Sequence, residues 1–490
     1  MTSRRALFLG VGAAAAGVLL GSSTRVRAET AGGAGEVEWP VVVIGSGLAG
    51  LSAGAGALEA GAKRVLILEK GPLAGGHSLY SSGSIAAVDP ERTGRLPNGW
   101  RDSIEQFVAD ALAVSGGTGN PEMLAQIAFG SADALKWLEG MGVSFGRPFV
   151  ARSGLSPRSW AMRGNSAGRS YVLAVMAHFR RLGGTVRFNA RVRGLERMGA
   201  ATGSAGAAGL WRVLVEEAGR MSEVRARAVV IASGGFTTNV ARRMRINPLL
   251  TADVRTSANP YGSFWDGADG DALDWAKALG AGVTQGNGLQ LLPFWGGRLL
   301  DYAGGDIYVD MAGRRFVDEN LPWNAIADKM LKLEERSCWV ITDSQSYKGA
   351  TLGLKLINGI VQKSMTIAEM AAGMGVEQSV LEAELKAYNA AAAKGFDPKT
   401  GKRIFTQLIN LPPYYWGKEY IYVHTTLDGI LTDLEGRVLS AAGDPMPGLY
   451  AAGEVAGGIF GTDRMGGTGM TNCLVMGRAA GDAAARRGRF

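Results

Sequence analysis

Cysteine and histidine are scarce in this chain: two and three of 490 residues. Cys338 and Cys473 lie far apart, and no C-x-x-C or C-x-x-C-H is present. That excludes a c-type haem attachment and a cysteine-ligated iron–sulfur cluster. The histidines, His77, His178 and His424, are too scattered for a zinc site, so no metal is expected. There is no basic stripe with interleaved aromatics, which argues against nucleic acid as a partner. There is also no apolar run of membrane-spanning length. The stretch Ala6 to Leu20 is too short and too rich in alanine and glycine for a span.

That stretch reads instead as an export signal. Arg4 and Arg5 form a twin-arginine pair ahead of it, and Val26-Arg27-Ala28 ends as a cleavage site would. Residues 1–28 are therefore expected to direct the chain to the periplasm by the twin-arginine route, leaving no integral span. The segment holds four arginines and no acid. Its removal takes the 52 basic residues to 48 against 44 acidic ones, a mild net charge of +4.

Glycine, by contrast, is abundant, at 73 residues. Its placement is informative. The β-branched run Val41-Val42-Val43-Ile44 has the pattern of a buried parallel strand. Gly45-Ser46-Gly47-Leu48-Ala49-Gly50 follows, then an alanine-rich helix to Gly61, then the strand Arg64 to Glu69. The glycines permit a tight turn and a close approach of backbone to a pyrophosphate, and the helix offers free N–H groups and a positive dipole end. Glu69, nineteen residues past Gly50 and just before Lys70, is placed to bind ribose hydroxyls. Two later segments repeat the strand-then-turn pattern: "RAVVIASGGFTTN", with Ala232, Gly234 and Gly235 at its turn, and "GLYAAGEV", with Gly453 and Glu454 at its end. A small-residue helix begins near Gly469 and Met470. Nucleotide-domain signatures at both ends imply an α/β fold with a discontinuous Rossmann-like domain and an insertion. Thr366 to Ala393 reads as helical, its Met and Leu stripe as ordinary core packing.

Together these motifs, with Gly75-Gly76 and "GRRFVDE", resemble the flavoprotein family of fumarate reductases and succinate dehydrogenases, a group that includes soluble flavocytochrome fumarate reductases, urocanate reductase and 3-ketosteroid dehydrogenases. The resemblance implies an FAD-dependent oxidoreductase acting on CH–CH or C=C bonds. It implies an FAD-binding domain over residues 29–290 and 400–490, with an α+β capping domain inserted at 291–399. It gives "GGHSLYSSG" a meaning. His77 and Ser78 stand in register with a His-Thr pair that carries the flavin covalently in membrane-bound relatives, and Gly83, after Ser82, matches a family glycine. His77 is thus either a covalent anchor or a packing neighbour of the ring.

The resemblance also assigns a substrate site. Arg464 matches the arginine that grips a substrate carboxylate. His424 is a second candidate ligand, with Thr425 as its alternative, and Gly467 lies close by. Trp323 stands where fumarate reductases carry their proton-donating arginine. Leu292 replaces a ligand histidine, and Leu299 and Tyr302 replace the relay Glu and Arg. With Phe294 and Trp295, these make the pocket apolar and aromatic. A second carboxylate there would be buried without a partner, at about 3 kcal/mol or more. The expected substrate is therefore an enoate other than fumarate, an aryl or larger acrylate, with Tyr302 and Tyr308 as candidate proton donors and a separate c-type cytochrome as electron donor. The alternatives are a dehydrogenase of the ketosteroid type and a non-catalytic flavin electron carrier.

Overall fold

Burial on both faces is what a continuous β-branched run demands, and the strand Trp39–Ile44 has it: Val41, Val42 and Val43 are fully buried at the centre of a parallel sheet. It pairs in parallel with Val65–Leu68 on one side and Arg220–Ile231 on the other, so that Val43 lies between Ile67 and Val230. Pro445–Ala451 adds beyond Arg220–Ile231, and Thr185–Arg187 beyond Val65–Leu68, both parallel. Antiparallel strands Ala190–Arg197, Trp211–Glu217 and Arg437–Leu439 complete eight strands among the described residues. These observations come from a computed structural model that describes residues 38–488, apart from 97–98, 163–166, 199–208, 263–264, 287, 297–299, 301 and 349–351. The expected signal at 1–28 lies outside the described residues, as does Leu299; so do the side chains of Phe294 and Trp295.

The alanine and glycine richness of the first helix, Leu48–Glu59, has a packing cause. It lies against the C-terminal helix, Thr468–Gly488, closely enough that backbone meets backbone. A Cβ on Gly481 would sit 2.0 Å from the Ala53 carbonyl oxygen, and one on Gly477 2.7 Å from that of Ala49. Only small residues permit this approach, and it fixes where both helices begin, over the carboxyl ends of the central strands.

A second sheet covers the first. Tyr414–Thr426 is its long central strand, flanked by Ser337–Thr342, with Ile307–Val309 beyond, and by Gln362–Ser364 and Leu289–Gly296. The pairings carry this sheet from Leu289, opposite Thr426, to Gly296, opposite Glu419, with Leu292 beside Tyr422. Its core is Met370, Leu381, Tyr388 and Trp416. The stretch read as one helix is two, Ile367–Met374 and Gln378–Lys394, separated where Gly375 turns left-handed at φ 71°. Beneath them lies a buried ionic cluster. Glu319 accepts from Arg315 Nε at 3.0 Å and Lys402 Nζ at 2.6 Å, and Arg315 also reaches Asp397 at 2.6 Å. No described helix is long and apolar enough to cross a membrane.

Candidate active site

At the carboxyl end of the first strand the chain turns through Gly45 at φ 100°, where a Cβ would lie 2.5 Å from the Ala232 carbonyl oxygen. Gly50 is closed off similarly, 2.0 Å from the carbonyl oxygen of Gly45. Gly47 differs. It caps the first helix without a side-chain hydrogen bond, and its Cβ would meet nothing nearer than 3.8 Å. Gly76 and Gly234, both at positive φ, likewise face open space. These positions line a cleft with about 870 Å³ of empty space, running from Glu69 and Lys70 past the helix N-terminus to His77 and Ser78. Open glycine backbone and a helix N-terminus supply donors for the diphosphate of a dinucleotide, and an acid beyond the second strand supplies the acceptor for its ribose hydroxyls.

Glu69 braces that turn from below. One carboxylate oxygen accepts from the Ser46 N–H at 2.9 Å and hydroxyl at 2.6 Å, and the other from the Gly71 N–H at 2.8 Å. Lys70 pairs with Asp269 at 2.7 Å on the rim. Ser78 Oγ accepts from the Leu48 N–H at 3.2 Å, pinning the "GGHS" turn to the helix start. Of the other expected cofactor residues, Ala49 and Ala232 line this cleft, whereas Gly50, Gly75, Gly83 and Gly235 lie behind the walls. A Cβ on Gly235 would strike Thr426 Oγ1 at 2.0 Å and Glu454 at 2.3 Å.

His77, Ser78, Glu454 and Cys473 are shared with a second cleft of about 1280 Å³ that continues the first. Ser82, Gly453, Gly467, Gly469 and Met470 line it, so the N-terminus of the C-terminal helix opens onto it. His77 donates through Nε2 to Asp266 Oδ1 at 2.7 Å. Burial pulls the imidazole pKa down, but the hydrogen bond and charge of Asp266, with Glu454 beyond, outweigh it and raise the value. Asp266 is the mirror case. Burial pushes it up, while His77 and the donors Ala268 N–H and Thr256 hydroxyl hold it low. Burial pushes the Cys473 thiol up to about 12, helped by Glu454, so it stays neutral.

Arg464 lies on the same cleft, its guanidinium laid across Gly469, where a Cβ would come within 3.1 Å of Cζ. Burial lowers its pKa, and the charges of Glu454 and Asp463 oppose that. No carboxylate pairs with it within 4.0 Å among the described residues. Its loop is held by Asp463, which accepts from the Arg464 N–H at 2.8 Å, from Asn324 N–H at 2.9 Å and from Gln290 Nε2 at 2.5 Å. His424 lies opposite with Nδ1 at 2.7 Å from Ser257 Oγ, and Thr425 follows it. Leu292 and Trp323 supply the apolar wall.

Tyr302 and Tyr308 do not line either cleft. The Tyr302 hydroxyl donates to Gln407 Oε1 at 3.2 Å and accepts from the Tyr347 N–H at 3.1 Å. Tyr308 is fully buried in the wall behind Leu292. Among the cleft-lining residues the sequence did not single out are Ser257 and Arg152. Arg152 is buried, donates to the Glu319 carbonyl at 2.9 Å and pairs with Asp306.

Residues 40–470 match the family described as FAD binding domain. A probable fumarate reductase of Shewanella frigidimarina is 29% identical over 91% of this chain and 74% of its own length. The acrylate reductase flavoprotein subunit of Shewanella woodyi is 29% identical over 98% of both chains. Among solved structures, the open conformation of a flavocytochrome c3 fumarate reductase superposes with a TM-score of 0.71 at 27% identity, over 92% of this chain and 79% of that one. The cradle of open glycines, the braced Glu69 turn and the two adjoining clefts fit FAD, and the chain belongs to the FAD-binding flavoprotein family of fumarate-reductase-like oxidoreductases.

Proposed function

We propose that this chain is the flavoprotein of an enoate reductase, which saturates the C=C bond of a monocarboxylate. The observation that carries the reading is Arg464: a half-buried cation with no carboxylate partner among the described residues, on a cleft also lined by Leu292 and Trp323. A guanidinium in such a place binds a carboxylate through two charge-assisted hydrogen bonds and draws electron density from the conjugated double bond. Asp463 orients the arginine through its own backbone N–H. His424, fixed by Ser257, and Thr425 offer further hydrogen bonds at the same end. Bound FAD supplies the electron pair. The apolar wall excludes water and accepts the body of an acrylate or aryl acrylate. The match to an acrylate reductase subunit along nearly its whole length supports a one-carboxylate substrate.

The twin-arginine N-terminal sequence supports export to the periplasm, with electrons delivered by a separate c-type cytochrome. Asp266 occupies Nε2 of His77, which supports His77 as a hydrogen-bonded neighbour of the flavin and not a covalent anchor. The deciding experiment is an anaerobic assay in which reduced viologen is reoxidised by acrylate, cinnamate or fumarate. Turnover with a monoenoate and little with fumarate is expected. Turnover with none of a broad enoate panel, together with oxidation of a saturated ketone, would favour a dehydrogenase of the ketosteroid type instead.

A further inference from the structure

Four of the charged or ionisable side chains on the substrate cleft other than His424 have opposing charges to reckon with: His77, Arg152, Glu454 and Arg464. His77 is paired with Asp266. Glu454 accepts from the Thr426 N–H at 2.9 Å and lines the cleft, close enough to Arg464 to act on its titration. Arg152 is the second arginine of the cleft. Its main chain abuts the Arg464 loop: a Cβ on Gly466 would lie 2.4 Å from the Arg152 carbonyl oxygen. Left alone, Arg152 would give the cleft a second cation, as a dicarboxylate requires.

It is not left alone. Asp306, at 0% exposure, pairs with Arg152, at 2%. Asp306 enters just ahead of the strand Ile307–Val309, and no described group hydrogen-bonds its other oxygen, so the carboxylate serves Arg152 alone. In the neighbouring cluster the cations Arg315 and Lys402 are paired with Glu319 and Asp397, with Asp318 beside them.

Resting on the enoate-reductase reading, we infer that Asp306 sets substrate specificity by charge. It neutralises Arg152, so the cleft accepts one carboxylate, at Arg464, and rejects a second. Asp306 acts through Arg152 and does not itself touch the substrate. Arg152 acts through its field and not as a ligand, because a buried unit charge is felt across a cleft of low dielectric. At about 10 Å and an effective dielectric of about 20, unmasking it favours a second carboxylate by roughly tenfold or more.

The test is binding of saturated, unreactive acids to the oxidised holoprotein, followed by perturbation of the flavin spectrum. Wild type should bind 3-phenylpropanoate well and succinate poorly. Asp306→Asn keeps an acceptor for Arg152 but removes the charge. It should tighten succinate about tenfold relative to 3-phenylpropanoate. Arg152→Met leaves the Asp306 charge alone and should move the ratio the other way, which preserves the test if the first variant fails to fold. The double variant Arg152→Met/Asp306→Leu removes both charges and should keep the wild-type ratio. An unchanged ratio in both single variants overturns the inference, as does loss of 3-phenylpropanoate binding in the double variant, which would make Arg152 a direct ligand. Failure of the underlying reading is distinguishable: wild type would then bind neither acid, and Arg464→Ala would change nothing.

Discussion

Replacing Arg464 by alanine removes the one cleft cation with no carboxylate partner among the described residues, and the size of the effect follows from its surroundings. The guanidinium lies over Gly469, and the Arg464 N–H donates to Asp463. The variant therefore keeps the loop, since that hydrogen bond belongs to the main chain. A bound carboxylate would lose two charge-assisted hydrogen bonds, each worth about 1.5–3 kcal/mol. The total is about 3–5 kcal/mol. That corresponds to a loss in kcat/KM of about a hundred- to several-thousand-fold. Arg464→Lys should recover only part, since an ammonium restores the charge but not the planar fork. The flavin should stay bound, because Arg464 does not line the cleft formed by Gly47, Glu69 and Ser78. The assay is viologen-linked reduction of a monoenoate on protein of matched flavin content. A near-wild-type rate for Arg464→Ala would place the substrate elsewhere and refute the reasoning.

Acid precipitation of the holoprotein should release its flavin into the supernatant, because Nε2 of His77 is taken by Asp266; a yellow pellet would establish a covalent bond. Gly481→Val should destabilise the fold by about 3 kcal/mol, since its Cβ would lie 2.0 Å from the Ala53 carbonyl oxygen; a denaturant midpoint unchanged from wild type would contradict the helix packing. The His77–Asp266 pair carries a pH signature. His77 is raised against the pull of burial, so its contribution to stability is complete below about pH 6.5, the unfolded value, and is lost as pH rises through the folded one. Asp266 is held low against burial, so the contribution fades again at strongly acid pH as it takes up a proton. Asp266→Asn should therefore cost more stability at pH 6 than at pH 9, and equal losses at both would count against the pair.

The dinucleotide unit was legible because its signals are local. A buried run, three glycines at fixed spacing and an acid after the next strand are separated by few residues, and each has one structural solution. The substrate arginine was legible only through the family resemblance. Arg152 carried no such signal. It sits in "FVARSGLS", and what makes it matter is Asp306, 154 residues later and brought beside it only by the second sheet. Tyr302 and Tyr308 show the converse. Projecting family positions onto the chain without gaps put Tyr302 in the site, and Tyr308 joined it as a phenol able to act as an acid, but Ile307–Val309 is buried on both faces, so Tyr308 belongs to the core. The break at Gly375 was written in the sequence as a glycine, but the apolar stripe on either side of it read as one continuous helix.

The close contact between the first helix and the last has a consequence for how the protein is made. Leu48–Glu59 leaves the ribosome well before its partner Thr468–Gly488 and before the strand Pro445–Ala451 that adds to the parallel sheet. Until both have emerged, the phosphate turn lacks its supporting layer, and the wall formed by Gly453, Gly469 and Met470 does not exist. Cofactor capture thus waits until synthesis has passed this helix, and a polypeptide interrupted before residue 468 should emerge colourless whatever the supply of FAD.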